Sequence, residues 1–370
     1  MPTERTSGAG KMTIAEPIDH LQAPPELDHT VQDMIVPQWW TGTPAIASER
    51  YEVDAGGHVD LDPAGELVTR MRRTYDEVGL VHVRNTGLTE LTDMRALALT
   101  TLPGEMKYEG GSNPRQNLDK NVFEVGAPLA AHLHYHHEMA YVSKSTRALA
   151  FLCAKSLPDR GATYFSDGLA GTDYMLATEL GQKLKELGVC YHRSMTDREA
   201  YVDRLNIGVY NHWQLSMGTD DPAEAEAYAQ ERGLVTEWGP DRLLKTRYYC
   251  DAFEYDPITD RNLFYCSVAD HGMWFDTWPL VMHLPHDQRP LHMTFGDDSE
   301  FSRQELELMV SHYDRFGIKV DWRVGDVAVF DNFRFAHGRP GVHLGPGEER
   351  QLGVVLGPKY DRVGTLVDKW

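Results

Sequence analysis

What this chain of 370 residues has little of narrows its reading first. Cysteine is scarce: Cys153, Cys190, Cys250 and Cys266 are widely spaced and form no C-x-x-C pair, so they read as buried free thiols. No run approaches the ~20 apolar residues that span a bilayer. The N-terminal stretch MPTERTSGAGKMTIAEPIDH has no apolar core of the kind a secretory signal carries, and a cytoplasmic location is expected. Positive charge is in the minority, with 36 Lys and Arg against 56 Asp and Glu and a formal charge of −20. That balance argues against a nucleic-acid or membrane partner, while a local arginine pocket could still hold an anionic small molecule. Internal repeats and low-complexity segments are absent as well.

What is present describes a globular protein able to bury a large core, with 41% hydrophobic and 25% charged residues. Residues 1–30 are polar and aperiodic and read as a flexible tail; residues 31–370 read as one domain. In DPAGELVTRMRRTYDEVG, Asp62 is the expected N-cap and Pro63 the first helical residue, with Leu67, Met71, Tyr75 and Val78 on one face and Gly79 as the stop. Further helices are expected near 172–187, near 221–233, and from Ser302 to Gly317, where Ser302 and Glu305 form a capping-box pattern. Strands are expected at 80–84, 147–154, 189–194, 246–255, 262–268, 326–331 and 351–357. Many short strands with few βαβ alternations predict a mainly β fold with helical insertions on a jelly-roll, or double-stranded β-helix, core.

The densest chemistry lies in AAHLHYHHEMAYVS, where His132, His134, His136 and His137 precede Glu138. Alternate residues of a strand share a face, so His136 and Glu138 could offer one imidazole and one carboxylate to a single ion. A third ligand is available in GDVAVFDNFRFAHGRPG, where His337 follows a strand and a turn. Two histidines and a carboxylate on one face of an octahedron leave three positions open, the arrangement of non-haem Fe(II) oxygenases.

The blocks carrying these residues resemble a known superfamily. HHEMAY (136–141) is similar to the H-x-E-M-A-Y segment of clavaminate synthase, RGATYFSDG (160–168) to a G-G-x-T segment, and GDVAVFDNFRFAHGR (325–339) to a G-D-x-x-x-x-D-N-x-x-x-x-H-G-R signature. Three blocks in the order of the taurine dioxygenase-like Fe(II)/2-oxoglutarate oxygenases, across roughly residues 65–357, are a strong signal. The resemblance implies iron ligation by His136, Glu138 and His337, and 2-oxoglutarate binding by Thr163 and Arg350. It implies Fe(II), 2-oxoglutarate and O2 as reagents. The expected reaction oxidises an unactivated C–H bond of a small molecule, with hydroxylation foremost and succinate and CO2 released. Several relatives carry a second arginine four residues beyond the one for 2-oxoglutarate, where it grips a substrate anion; here that position is Val354. The chain is most similar to the branch that tailors amino acids in secondary metabolism. Glu138 sets aside the halogenases, whose halide site needs that carboxylate missing.

Blander readings compete. Beside Glu348 and Glu349, Arg350 would ordinarily be a surface salt-bridge partner, and Thr163 an ordinary strand threonine. The first cupin motif also fits, through Gly126, His132, His134 and Glu138, and would make the chain a metal-binding isomerase, lyase or binding protein; the second cupin motif is missing its P-x-G. Helical insertions around 195–245 and 270–318, with aromatic stretches at 210–218 and 271–279, are expected to act as lids. A homo-oligomer is left open.

Overall fold

The strand-forming runs assemble into two sheets that face each other across an aromatic layer. The computed structural model describes residues 35, 37–39, 42–108, 115–125, 129, 132–157, 159–201, 212–267 and 289–370. The expected tail, the aromatic stretch at 271–279, the start of that at 210–218 and Gly126 lie outside the described residues.

The larger sheet runs β1 (Glu52–Asp54), β2 (Leu80–Arg84), β16 (Val327–Asp331), β7 (Ala148–Lys155), β18 (Gln351–Leu356), β4 (Val122–Glu124) and β3 (Asn117–Asp119). The smaller one runs β15 (Gly317–Val320), β8 (Thr163–Asp167), β17 (Phe335–Arg339) and β5 (Leu133–His136), all antiparallel. A third sheet orders β10 (Val235–Trp238), β11 (Leu244–Cys250), β9 (Val189–Met195) and β14 (Leu291–Phe295). Two short pairs complete the set: β12 (Phe253–Asp256) with β13 (Arg261–Phe264), and β19 (Lys359–Asp361) with β6 (Lys144–Thr146).

The apolar run of β7 is continuous because both of its faces are covered. Ala148, Ala150 and Leu152 turn outward with Val327 and Val329, toward Met71 of α1 (Glu66–Val78) and Met94 and Leu97 of α2 (Leu91–Leu99). Leu149, Phe151 and Phe330 turn inward onto Phe165 and Phe335 of the smaller sheet. Period-two alternation thus feeds two cores at once.

Several boundaries differ from those the sequence suggests. Helix α1 starts at Glu66, because Asp62 turns its carboxylate onto the Ala64 amide in a preceding turn instead of capping the helix. Gly79 does end it, at φ 77. The helix expected near 172–187 is two, α3 (Gly168–Leu176) and α4 (Glu179–Leu187), because the Thr178 hydroxyl caps a fresh start on the Gly181 amide. The strand expected at 246–255 breaks at residues 251–252 into β11 and β12. Region 195–245 holds α5 (Arg198–Tyr201), α6 (Trp213–Met217) and α7 (Pro222–Glu231), the last capped by Asp221, and it also supplies β10 and part of β11 to the third sheet. Helix α8 (Arg303–Arg315) carries the Ser302–Glu305 capping box, and the chain enters β15 at Gly317. No helix among the described residues is long and apolar enough to cross a membrane.

Candidate active site

His136 closes β5 and sits directly opposite His337 on neighbouring β17, their ring centroids 4.2 Å apart. Glu138 is not on the strand, as simple alternation suggested. The chain leaves β5 after His136 and turns, with Met139 in the left-handed region at φ 58. The turn still brings the carboxylate back: one nitrogen from each histidine and one Glu138 oxygen lie within 4.8 Å of one another.

The imidazoles are held by their surroundings. His136 Nδ1 lies 2.9 Å from the His134 carbonyl; a carbonyl only accepts, so Nδ1 carries the proton and Nε2 keeps the lone pair a metal needs. The His337 ring is wedged between Phe151 and Phe330, at centroid distances of 5.3 and 5.1 Å. Burial pushes the pKa of both histidines down, opposed at His136 by the Glu138 charge and reinforced at His337 by its histidine neighbours. Neutral imidazole is the ligating form.

Asn332 fastens the turn that carries Glu138. Its side-chain oxygen accepts from the Glu138 amide at 2.8 Å, while its nitrogen donates to the Glu138 and Thr146 carbonyls at 3.0 and 2.9 Å. Arg362, just beyond β19, donates to the Ala140 carbonyl at 2.7 Å and is itself anchored on buried Glu254. The Glu138 carboxylate, 4% exposed, receives both of its oxygens' hydrogen bonds from Arg115 Nη2, at 2.8 and 2.9 Å. Arg115 lies over the Tyr108 ring. Burial works against its charge, and Glu138 more than offsets that and raises its pKa.

Thr163 opens β8 of the smaller sheet, and Arg350, just before β18 of the larger sheet, reaches the segment that leads into β8. Arg350 is 9% exposed and donates Nε to the Gly161 carbonyl at 2.9 Å. Its glutamate neighbours are engaged elsewhere, Glu348 with Arg160 and Glu349 with Lys155, so the surface salt bridge is not formed. No carboxylate pairs with Arg350 among the described residues, and burial lowers its pKa to about 10. Gly161, at φ 81, has no room for a side chain, since a Cβ there would lie 2.7 Å from Arg350 Nε. Buried Thr163 accepts from the Trp322 indole at 3.0 Å, which leaves its hydroxyl proton to donate. By alternation Thr163 shares a face of β8 with Phe165, which is in register with His337.

The other histidines stand apart. His132 accepts from the Trp39 indole and the Gly341 amide, and His137 bonds the Asn332 carbonyl under the Tyr265 ring. Neither they nor His134 join the cluster of potential ligands, so the cupin grouping of His132, His134 and Glu138 is not assembled.

The residues present fit an iron and an anionic co-substrate. The donor set is two neutral imidazoles and a carboxylate. Among the buried polar atoms without a hydrogen-bond partner are Nδ1 of His337 in the donor set, Nε and Nη1 of the Arg115 that pairs with Glu138, and Nη2 of Arg350.

Comparison with known proteins decides the family. The sequence model of the taurine catabolism dioxygenase TauD, TfdA family matches residues 42–356. The chain belongs to the TauD, TfdA family. It is an α-ketoglutarate-dependent dioxygenase, an enzyme class that uses Fe(II), 2-oxoglutarate and O2. A clavaminate synthase-like protein of Arabidopsis thaliana is 27% identical over 240 residues, 64% of this chain and 69% of that one. The dapdiamide synthesis protein DdaC of Enterobacter agglomerans is 22% identical over 292 residues, covering 77% and 84%. A taurine dioxygenase structure from Burkholderia xenovorans aligns with a TM-score of 0.49 at 15% identity, over 86% of this chain and 89% of that one. Family membership removes the cupin alternative.

Arg115, Asn332 and Arg362 were not singled out by the sequence. Asn332 sits in the D-N pair of the third block, which was a usable signal; Arg115 lies in the polar run NPRQNLD, which carried none.

Proposed function

We propose that this dioxygenase hydroxylates an unactivated C–H bond of a small molecule, an amino acid or a secondary-metabolite intermediate, on a double-stranded β-helix core. In this reading His136, Glu138 and His337 hold Fe(II), and Arg350 with Thr163 holds the far carboxylate of 2-oxoglutarate. The observation that carries it is the convergence of three ligand atoms within 4.8 Å, with the buried guanidinium of Arg350, paired with no carboxylate among the described residues, bonded to the Gly161 carbonyl two residues before Thr163. The kinship with a dapdiamide synthesis protein and a clavaminate synthase-like protein favours a tailoring role.

When bound, iron with 2-oxoglutarate and O2 supplies the oxidant for C–H cleavage. The chain's own part is positional. The hydrogen bond from His136 to the His134 carbonyl and the phenyl walls around His337 fix two ligand directions, and Asn332 fixes the third by holding the Glu138 backbone. Arg350 offers planar charged donors to the co-substrate carboxylate, and Thr163 adds a hydroxyl donor. Phe151, Phe165 and Phe330 keep water from the His337 side of the site. Val354, buried in β18, replaces the arginine by which relatives grip a substrate anion, so substrate selection rests on other groups. The insertions expected around 195–245 and 270–318 are read as covers of this pocket.

The test pairs two sets of variants. His136→Ala and His337→Ala should each abolish Fe(II) binding and succinate formation, while His132→Ala combined with His134→Ala should keep the metal. Metal retained in the first set, or lost only in the second, overturns the assignment. An anaerobic screen of amino acids against the Fe(II)–2-oxoglutarate charge-transfer absorbance would then find the substrate.

A further inference from the structure

A second group of metal-ligating side chains lies on the third sheet, away from the iron ligands. Cys190 and His192 are two apart on β9 and so share a face. Tyr191 between them points the other way, into the core. Opposite Cys190 stand Thr294 of β14 and Tyr249 of β11. After Phe295 the chain folds back tightly: the Gly296 amide donates to the Gly188 carbonyl, the Asp298 amide to the Phe295 carbonyl, and Asp298 adopts φ 66. That turn delivers the Asp298 carboxylate over the strand, 3.7 Å from His192 Nε2. The Tyr249 hydroxyl donates to both Asp298 oxygens, at 3.1 and 3.0 Å, and holds the carboxylate there.

We propose that Cys190, His192 and Asp298 form a second metal site, for a thiophilic divalent cation such as Zn(II). One sulfur, one imidazole nitrogen and one carboxylate oxygen all lie within 4.8 Å of one another. Around a tetrahedral zinc such atoms stand about 3.3–3.6 Å apart, so side-chain rotation of roughly 1 Å closes the set on one ion. The ligand pair sits on β9, which is hydrogen-bonded on both edges, by β11 and β14. The thiol is buried and the Asp298 side chain is 49% exposed, so the ion enters from solvent and keeps an outer position for water. The Tyr249–Asp298 hydrogen bonds orient the carboxylate from behind, as supporting partners do at established zinc sites. Burial otherwise raises the Cys190 pKa to about 12 and keeps the thiol neutral; binding releases its proton to solvent and forms the sulfur–metal bond. The site would staple the turn after β14 onto β9. The iron ligands contain no sulfur, so the two sites differ in chemistry as well as place.

Sulfur makes the proposal separable from the assignment of the iron ligands. Chelator-stripped full-length protein is titrated anaerobically with Co(II). Expected are two equivalents bound and a near-ultraviolet thiolate-to-Co(II) charge-transfer band, which the iron ligands cannot produce. The band should persist in the double variant His136→Ala, His337→Ala. It should vanish in Cys190→Ser, which then binds one equivalent, and its half-saturation should rise at least ~10-fold in Asp298→Asn, an exposed change that leaves the strands intact. Wild-type protein without the band, or a band that survives Cys190→Ser, overturns the proposal.

Discussion

Replacing Gly161 by alanine would separate two consequences of one missing side chain. Gly161 adopts φ 81, and a Cβ built there lies 2.7 Å from Arg350 Nε and 2.9 Å from its Cδ. The left-handed backbone costs a non-glycine residue about 1–2 kcal/mol, and this appears as lost stability whatever the function. The clash then drives the guanidinium off the Gly161 carbonyl and away from its present line. If Arg350 clamps the far carboxylate of 2-oxoglutarate, displacement forfeits a charged hydrogen bond of about 1.5–3 kcal/mol. The 2-oxoglutarate requirement should rise roughly 10- to 150-fold. Thermal denaturation of the metal-free protein reads the first effect. Anaerobic titration of the Fe(II) complex with 2-oxoglutarate, followed by charge-transfer absorbance, reads the second. Arg350→Ala, which leaves the glycine backbone alone, should raise the requirement further, by the equivalent of about 2–5 kcal/mol, with iron affinity unchanged. A Gly161→Ala protein that is less stable yet binds 2-oxoglutarate normally would refute the reasoning and move the clamp to another basic residue.

Three further outcomes are expected. Asn332→Ala strips the Glu138 backbone of two buried partners, so stability should fall by about 1–3 kcal/mol and Fe(II) affinity 10- to 100-fold, by chelator competition; undiminished affinity would deny Asn332 a positioning role. Arg115→Met leaves the Glu138 carboxylate buried without a counter-charge, costing the metal-free protein about 3–5 kcal/mol; since Fe(II) supplies positive charge, it should raise the melting temperature of the variant more than that of the wild type, and equal shifts would count against the pairing. Buried His312 has its pKa pushed from 6.5 to about 3, chiefly by burial with help from Arg315; in that window the unfolded chain binds the extra proton, so stability falls as pH drops from about 6.5 toward 3, by up to ~1.4 kcal/mol per pH unit, and His312→Phe should flatten that slope in denaturant titrations.

The elements legible in the sequence were those with a local cause. The short apolar runs of β7 and β16, the capping box of α8, and Gly79 as a stop each act within a few residues, and each reappears in the fold. Asp62 misled because an aspartate can bond an amide two residues on as readily as it caps a helix. The hidden break after Leu176 came from Thr178, whose hydroxyl recaps the chain in the middle of an otherwise periodic pattern. Among the site residues, His136, Glu138 and His337 were readable from motif spacing, although the turn that returns Glu138 to the histidines was not, since it depends on Met139 adopting a positive φ. Arg115 and Arg362 carry no local signature at all. Their partners are fixed by tertiary contacts, which no window of sequence contains.

The turn that carries Glu138 also has a consequence for how the protein is made. His137 and Glu138 are tied to Asn332 across separations of 195 and 194 residues, and Ala140 to Arg362 across 222. Contacts of such span form only after the intervening chain has been ordered, because loop closure must precede the gain from the contact. His136 acquires His337 as its neighbour by the same late pairing of β5 with β17. During synthesis, then, the ribosome has released nearly the whole chain before the three ligands can meet. With the proposed ligands, Fe(II) would then enter a folded protein instead of guiding its folding. Refolding rates should accordingly be the same with and without Fe(II), whereas unfolding should be slower in its presence.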